Sequence, residues 1–263
     1  LDFIYYVVGG AAVGFSIGLT GVGGGSLMTP LLVFYGVPLR VAVGTDLLYA
    51  AVTKIGGVIA HQRQGTIHWR VTGLLAAGSL PASLCTAITL QYLYQDSEGY
   101  TRLMAISLGA MLVFTALLLV LRERLQEMRL FSATPMGGFT ARHQALVTVL
   151  VGIVLGVFVT LSSVGAGVIG TMALLMMYPS LSPIEVIGTE LAHAVPLSLV
   201  AGIGHWVLLG NVHWLLLGSL LVGSLPAVFL GARLSAAISQ TLLRYILAGV
   251  LGFIGIRFIL FAS

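Results

Sequence analysis

Charged and titratable side chains set inside apolar sequence are the residues of this chain most able to do chemistry. Asp46 and Glu190 each follow a Gly-Thr pair within an apolar run. A charge at the bilayer centre costs at least about 2.5–3.5 kcal/mol on insertion scales, so such residues face a cavity or a partner. Two facing acids would bind a proton, sodium or a metal ion. Acids at helix starts near a membrane surface would simply suit the helix dipole.

Lys54 lies about two helical turns beyond Asp46, where the matching position of the second half carries Ser198. It offers either a partner for Asp46 or positive charge for an anionic substrate. His61 and His205 follow the two central apolar runs and are candidates for a gate or a proton relay. His193 stands three residues after Glu190, on the same helical face. Two ligands alone make a weak metal site. His68-Trp69 and His213-Trp214 read as interfacial anchors, and Arg257 as a snorkelling residue.

The glycine runs supply the other kind of chemistry. Gly23, Gly24 and Gly25 interrupt one apolar block, and Ser163, Gly165 and Gly167 interrupt another. Unwound backbone N–H groups and half-helix N-termini there would bind an anion. Thr45, Thr189 and Lys54 would add donors and charge. Scattered glycines such as Gly14 and Gly18 read instead as close helix packing.

The elements that must position these residues occur twice. Gly44-Thr45-Asp46, His61, Gly65-Thr66-Ile67-His68-Trp69 and Gly78-Ser79-Leu80-Pro81-Ala82 return as Gly188-Thr189-Glu190, His205, Gly210-Asn211-Val212-His213-Trp214 and Gly223-Ser224-Leu225-Pro226-Ala227. Of 263 residues 58% are hydrophobic and only 8% charged, with a mean hydropathy of +1.08. A soluble domain carries about a quarter charged residues, so most of this surface cannot face water. The net charge of +4 fits basic loops that orient a membrane protein rather than nucleic-acid binding. The single cysteine, Cys85, forms no internal disulfide and reads as a packing residue. The first apolar stretch is too long for a cleavable leader and has no basic region before it.

Apolar blocks fall near 3–36, 42–60, 70–93, 102–121, 144–178, 184–208, 213–230 and 242–261. The pattern predicts an all-α polytopic membrane protein of two internal repeats, each of about four apolar segments, over 1–121 and 144–263. The polar stretch 122–143, with Arg122, Arg124, Arg129 and Arg142, reads as a cytoplasmic linker. Arg63 and Arg70 put the 61–70 loop on the same side. As single helices, 3–36 and 144–178 would reach about 50 Å against roughly 30 Å of hydrocarbon. Each is therefore expected to be two helices joined by a Gly-rich turn. If that break changes the crossing number by one, the repeats are inverted, which is the favoured arrangement.

These paired motifs resemble the TauE/SafE family, the sulfite exporter family of membrane permeases. The likeness rests on Gly-Leu-Thr-Gly-Val-Gly-Gly-Gly-Ser at 18–26, Pro30, Ala42-Val43-Gly44-Thr45, His61, Gly65 and Trp69-Arg70, and on the second-half counterparts as far as Gly231. The resemblance implies a plasma-membrane transporter with duplicated halves, moving sulfite, thiosulfate, sulfoacetate or related anions. Two departures stand out. Asp46 and Glu190 occupy positions where many members carry serine, and the second glycine run is degraded to Ser163-Val164-Gly165-Ala166-Gly167.

The expected function is alternating-access transport of a small anion, with Asp46, Glu190, His61, His193 and His205 coupling or gating it. A proton or sodium is the candidate coupling ion, no cofactor is expected, and substrate and lipid are the expected partners. One alternative is a divalent-metal permease in which Asp46 and Glu190 face each other beside the histidines. A membrane enzyme lacks a nucleophile–base pair or His-Glu-x-x-His motif, and a channel would show flux that never saturates.

Overall fold

The structure is a computed structural model that describes residues 2–20, 25–93, 97–131, 143–234 and 240–262. Among the described residues there are ten α-helices and no strand. They are α1 Asp2–Thr20, α2 Gly25–Phe34, α3 Leu39–Arg63, α4 Trp69–Leu93, α5 Ser97–Phe131, α6 Gln144–Ser162, α7 Val168–Met177, α8 Pro183–Val207, α9 Trp214–Leu234 and α10 Gln240–Ala262. Seven of these, α3 to α6 and α8 to α10, are long and apolar enough to cross a membrane.

Both long blocks are broken. In the second, α6 stops at Ser162 and α7 starts at Val168. The two legs run antiparallel. Gln144 Nε2 donates to the Met177 carbonyl at 2.7 Å, and Thr148 and Tyr178 hydroxyls bond at 2.7 Å. Farther down, a side chain on Gly170 would touch Leu155. In the first block α2 returns along α1, because Gly9 abuts Leu31 and Tyr35 near the end of α2. Each hairpin therefore brings the chain back towards the end of the molecule that it left.

The stretch 122–143 is less of a loop than expected. Helix α5 continues through it to Phe131, because Arg, Glu, Leu, Gln and Met are all good helix formers. Residues 132–142 lie outside the described residues.

Three joints hold the bundle together. Helices α3 and α8 lie antiparallel at its centre. Gly44 faces His205, Gly57 faces Leu191, Gly188 faces His61 and Gly202 faces Leu48. Helices α5 and α10 are also antiparallel, with Gly109 and Gly255 backbone to backbone. The third joint is made twice. Gly10 and Gly14 of α1 meet α9 around Leu220 and Ser224, while Gly223 of α9 meets α1 at Val7 and Ala11. Likewise Gly152 and Gly156 of α6 meet α4 around Leu75 and Ser79, while Gly78 meets α6 at Val149 and Ile153. Packing without side chains at the contact is the usual way helices associate in lipid. The largest core lies among α5, α6, α7 and α8, with Met104, Leu108, Leu155, Leu174 and Leu197 fully buried.

A Cβ at Gly78 would overlap the Val149 carbonyl oxygen, whereas one at Gly73 meets nothing within 4 Å. Gly78→Val and its counterpart Gly223→Val are each expected to destabilise by about 1–3 kcal/mol or more. Gly73→Ala is expected to be neutral or to stabilise by up to about 1 kcal/mol. Thermal unfolding in detergent checks all three, and an unchanged midpoint for Gly78→Val would remove the glycine joint.

Candidate functional site

Helix α8 begins with a capping box. Ser182 Oγ accepts from the Glu185 N–H, and the Glu185 carboxylate accepts from the Ser182 N–H at 2.8 Å. Its other oxygen bonds His68 Nε2 at 3.0 Å in an ion pair. The pair ties the α3–α4 loop of the first half to the second. From this anchored end, α8 runs antiparallel to α3 and meets it through Gly188, Leu191, Gly202 and His205, while Glu190 lies against α7 and His193 against α4.

The two Gly-Thr pairs are structural in the same way. Gly44 packs against the Asn211 carbonyl, and Gly188 against the Thr66 carbonyl. Thr45 Oγ1 accepts from the His213 N–H at 3.1 Å, and Thr189 Oγ1 accepts from the His68 N–H at 3.0 Å. Each hydroxyl thereby caps the helix that starts the next crossing in the opposite half. Both threonines are fully buried, and as acceptors their hydroxyls brace these turns. The turns they brace need Gly65 and Gly210, at φ 68° and 65°.

Asp46 is fully buried. Its Oδ2 accepts a 2.5 Å bond from Thr29 Oγ1 of α2, while Oδ1 has no partner. Ser163, in the turn of the second-half hairpin, stands beside this carboxylate, and its own hydroxyl is unpartnered. One turn along α3, the Tyr49 hydroxyl lies by Ser224, again without a geometric hydrogen bond on either oxygen.

Glu190 is also buried, at 3% exposure, against Gly170 of α7. Its Oε1 has no partner. His193 Nε2 bonds Ser79 Oγ at 2.7 Å, and its Nδ1 is unpartnered. Position for position, Tyr49 with Ser224 corresponds to His193 with Ser79. The matched acids therefore sit in matched polar pockets.

They do not face each other. Gly57 meets Leu191 and Gly188 meets His61, so Glu190 is level with residues near 58 of α3. Asp46 is twelve residues away, about 18 Å along the helix. No group of three or more His, Cys, Asp or Glu side chains able to hold a metal occurs among the described residues. The divalent-metal alternative loses the geometry it required.

Lys54 lies between the two acids, partly buried. It feels Asp46, Glu190 and His193 electrostatically, yet it makes no ion pair or hydrogen bond among the described residues. The expected alternative of a Lys54–Asp46 ion pair is not formed.

The histidines of the gate reading close opposite ends of the α3–α8 contact. His205 is fully buried and donates from Nε2 to the Thr160 carbonyl at 2.9 Å. His61 Nδ1 bonds Thr66 Oγ1 at 2.8 Å. Gly23 and Gly24 lie outside the described residues, and Gly25 is the first residue of α2.

The second glycine run is described in full. Ser163 caps α6 in the left-handed region, at φ 59° and ψ 2°, and Gly165 sits at φ 118°. Left-handed backbone at a serine costs of order 1–3 kcal/mol and marks a place to look for function. The N–H groups of Gly165, Ala166 and Gly167 make no hydrogen bond among the described residues. Three free N–H groups at a helix N-terminus form an anion-binding arrangement.

One cavity of about 780 Å³ lies elsewhere, between α1, α2 and α10, lined by residues such as Ser16, Pro30, Phe34 and Phe253. Its lining contains none of Thr29, Asp46, Tyr49 or Lys54, so the chemistry and the large void are separate.

Thr29, Tyr49, Ser79 and Ser224 were not legible as site residues. Ser79 and Ser224 do repeat within the Gly-Ser-Leu-Pro-Ala motif, which was the available signal. Tyr49 and His193 match by position but not by type.

An all-helical bundle with seven helices able to cross a membrane, and polar pockets buried along its central helix pair, is the architecture of a multi-pass membrane protein. A profile of the sulfite exporter TauE/SafE family matches residues 6–258. The chain belongs to that family and is a multi-pass plasma-membrane protein. It is 34% identical over 254 residues to the probable membrane transporter protein YjnA of Bacillus subtilis (strain 168), covering 95% of this chain and 97% of that one. It is 26% identical to YdhB of the same organism, also named a probable membrane transporter protein, over 88% and 90% of the two chains. A probable membrane transporter protein of Methanocaldococcus jannaschii is 24% identical over 94% and 93%. No solved structure matches.

A Cβ at Gly165 would sit 2.6 Å from Met111 Cε in addition to its backbone strain. Gly165→Ala is expected to destabilise by about 1–3 kcal/mol. Met111→Ala should be less costly in the Gly165→Ala background than alone, with a coupling of about 1 kcal/mol. Strict additivity in thermal unfolding would show that Met111 does not seal this turn.

Proposed function

We propose that the protein is a secondary transporter that moves a small anion, sulfite or an organosulfonate such as sulfoacetate, across the plasma membrane by alternating access. It moves this substrate without transforming it. The observation that carries the reading is Lys54. A lysine near the middle of a central spanning helix, without a counter-ion, is sustained only by a polar cavity and an anion that enters it. The free N–H groups at Gly165 to Gly167 add neutral donors suited to sulfonate oxygens. The family's name supports the sulfur-containing class of substrate.

The halves act as inverted repeats in this proposal. Helices at matching places in the two halves run antiparallel, as α3 does to α8 and α5 to α10. A hairpin that returns to its own side, plus three crossings, makes an odd number per half. Inversion lets the two halves exchange conformations and so open the site first to one side and then to the other.

Basic residues favour one orientation. Arg63, Arg70, Arg233 and Arg244 lie at the helix ends that adjoin the 122–143 connection, and Arg40 and Arg102 lie at the other end. The connection is therefore cytoplasmic. With the interior negative, each exported negative charge gains about 2.3 kcal/mol per 100 mV, which favours export of an uncoupled anion.

The test is thermal stabilisation of purified protein by sulfite, thiosulfate, sulfoacetate, taurine, carboxylates and divalent cations. Stabilisation by the sulfur anions is expected. Lys54→Met should weaken it by at least about tenfold in affinity, near 1.4 kcal/mol, while Lys54→Arg retains most of it. Stabilisation by cations alone, or an unchanged affinity in Lys54→Met, would overturn the reading.

A further inference from the structure

We infer that a proton on Asp46 is required for an anion to bind at the Ser163–Gly167 turn, so that one proton is taken up with each anion. The inference rests on the anion-transport reading and names what couples to it. The turn offers three N–H groups without partners and the unpartnered Ser163 hydroxyl, only 6% exposed. These are donors waiting for an acceptor. The Asp46 carboxylate stands beside the Ser163 hydroxyl of this turn, completely buried. A second negative charge placed in that pocket meets a carboxylate that water cannot screen.

The hydrogen bonding of Asp46 shows where the proton goes. Thr29 Oγ1 donates to Oδ2, so that oxygen is an acceptor already in use. Oδ1 has no partner. Protonated there, Asp46 changes from a group that repels the anion into a further donor for it. The proton comes from water and returns to water when the anion leaves, so no other reactant is needed. A hard metal cation in its place would want six or more oxygen ligands, and no group of three or more His, Cys, Asp or Glu able to hold one occurs among the described residues.

The other titratable groups around Asp46 are accounted for. Helix α2 presents Thr29, which does not titrate in this range, and the α6–α7 turn presents Ser163. On α3 itself stand Tyr49 and Lys54. Helix α8 brings His205 level with Asp46, and Glu190 and His193 farther along. Tyr100 lies on α5 and His213 at the start of α9. His205 already donates to the Thr160 carbonyl. Of these groups, Asp46 is the carboxylate that stands beside the Ser163 hydroxyl, so its proton decides whether the turn accepts an anion.

A consequence separates this device from simple voltage-driven export. A monoanion that moves with one proton carries no net charge, so membrane potential alone would not drive it. A dianion with one proton remains sensitive to potential.

The experiment is calorimetric titration of the purified full chain with thiosulfate and with sulfoacetate between about pH 6 and 9, in sodium and in choline buffers. Both probes keep their charge over that range. Affinity is expected to fall about tenfold per pH unit once Asp46 ionises. Asp46→Asn should flatten this dependence and retain the low-pH affinity. Thr29→Val, which removes the donor to the ionised carboxylate, should extend binding to higher pH. The Thr29→Val arm holds even where Asp46→Asn does not fold. Absence of binding by either probe at every pH would overturn the anion reading itself. Binding that is independent of pH in the unaltered protein would overturn only the Asp46 proton. Dependence on sodium in place of pH would replace the proton by a metal cation.

Discussion

The close antiparallel contact of α3 with α8 is what the rest of the molecule depends on. Two helices that carry acids, histidines and a lysine can cross lipid only if those groups face each other or a cavity rather than hydrocarbon. Gly44 and Gly188 let a neighbouring backbone carbonyl lie directly against each helix. Thr45 and Thr189 then caps α9 and α4 across the interface. The same device, a glycine beside a hydroxyl, works once at each end. It fixes the register of the pair, and that register sets Asp46 and Glu190 far apart with Lys54 between them.

Around this axis the joints are duplicated but the chemistry is not. Gly10, Gly14 and Gly223 make the same kind of contact as Gly152, Gly156 and Gly78. Tyr49 and His193 occupy matched pockets yet offer different groups, and Lys54 has only Ser198 opposite it in the repeat. The hairpins differ too. Met111 of α5 presses on the second turn, whereas a void of about 780 Å³ separates the first hairpin from α10. The scaffolding of the two halves is matched and its contents are not.

The glycine-broken blocks, the spanning helices and the matched motifs were all readable from residue type and spacing, because lipid punishes polar backbone and charge so heavily that few patterns survive. Thr45 and Thr189 were readable as positions, but not as the hydroxyls that accept from N–H groups of the opposite half. A hydroxyl that caps a helix from the opposite half and one that binds a ligand look the same in sequence. Thr29 and Tyr49 carried no signal at all, since a lone threonine or tyrosine in an apolar run is ordinary.

By itself, the sequence determined that this chain is an all-helical membrane protein of the sulfite exporter family, with its polar residues concentrated at a few motifs that occur twice. Hydropathy, glycine placement and the repeat offset act along the chain, so they are visible in it. Only the tertiary structure decided that the two acids are separated, that Lys54 has no counter-ion, and that Ser163 of one half stands beside Asp46 of the other. Those facts depend on the direction and register in which helices pack. Register is set by backbone contacts between residues more than a hundred positions apart, which no local pattern encodes.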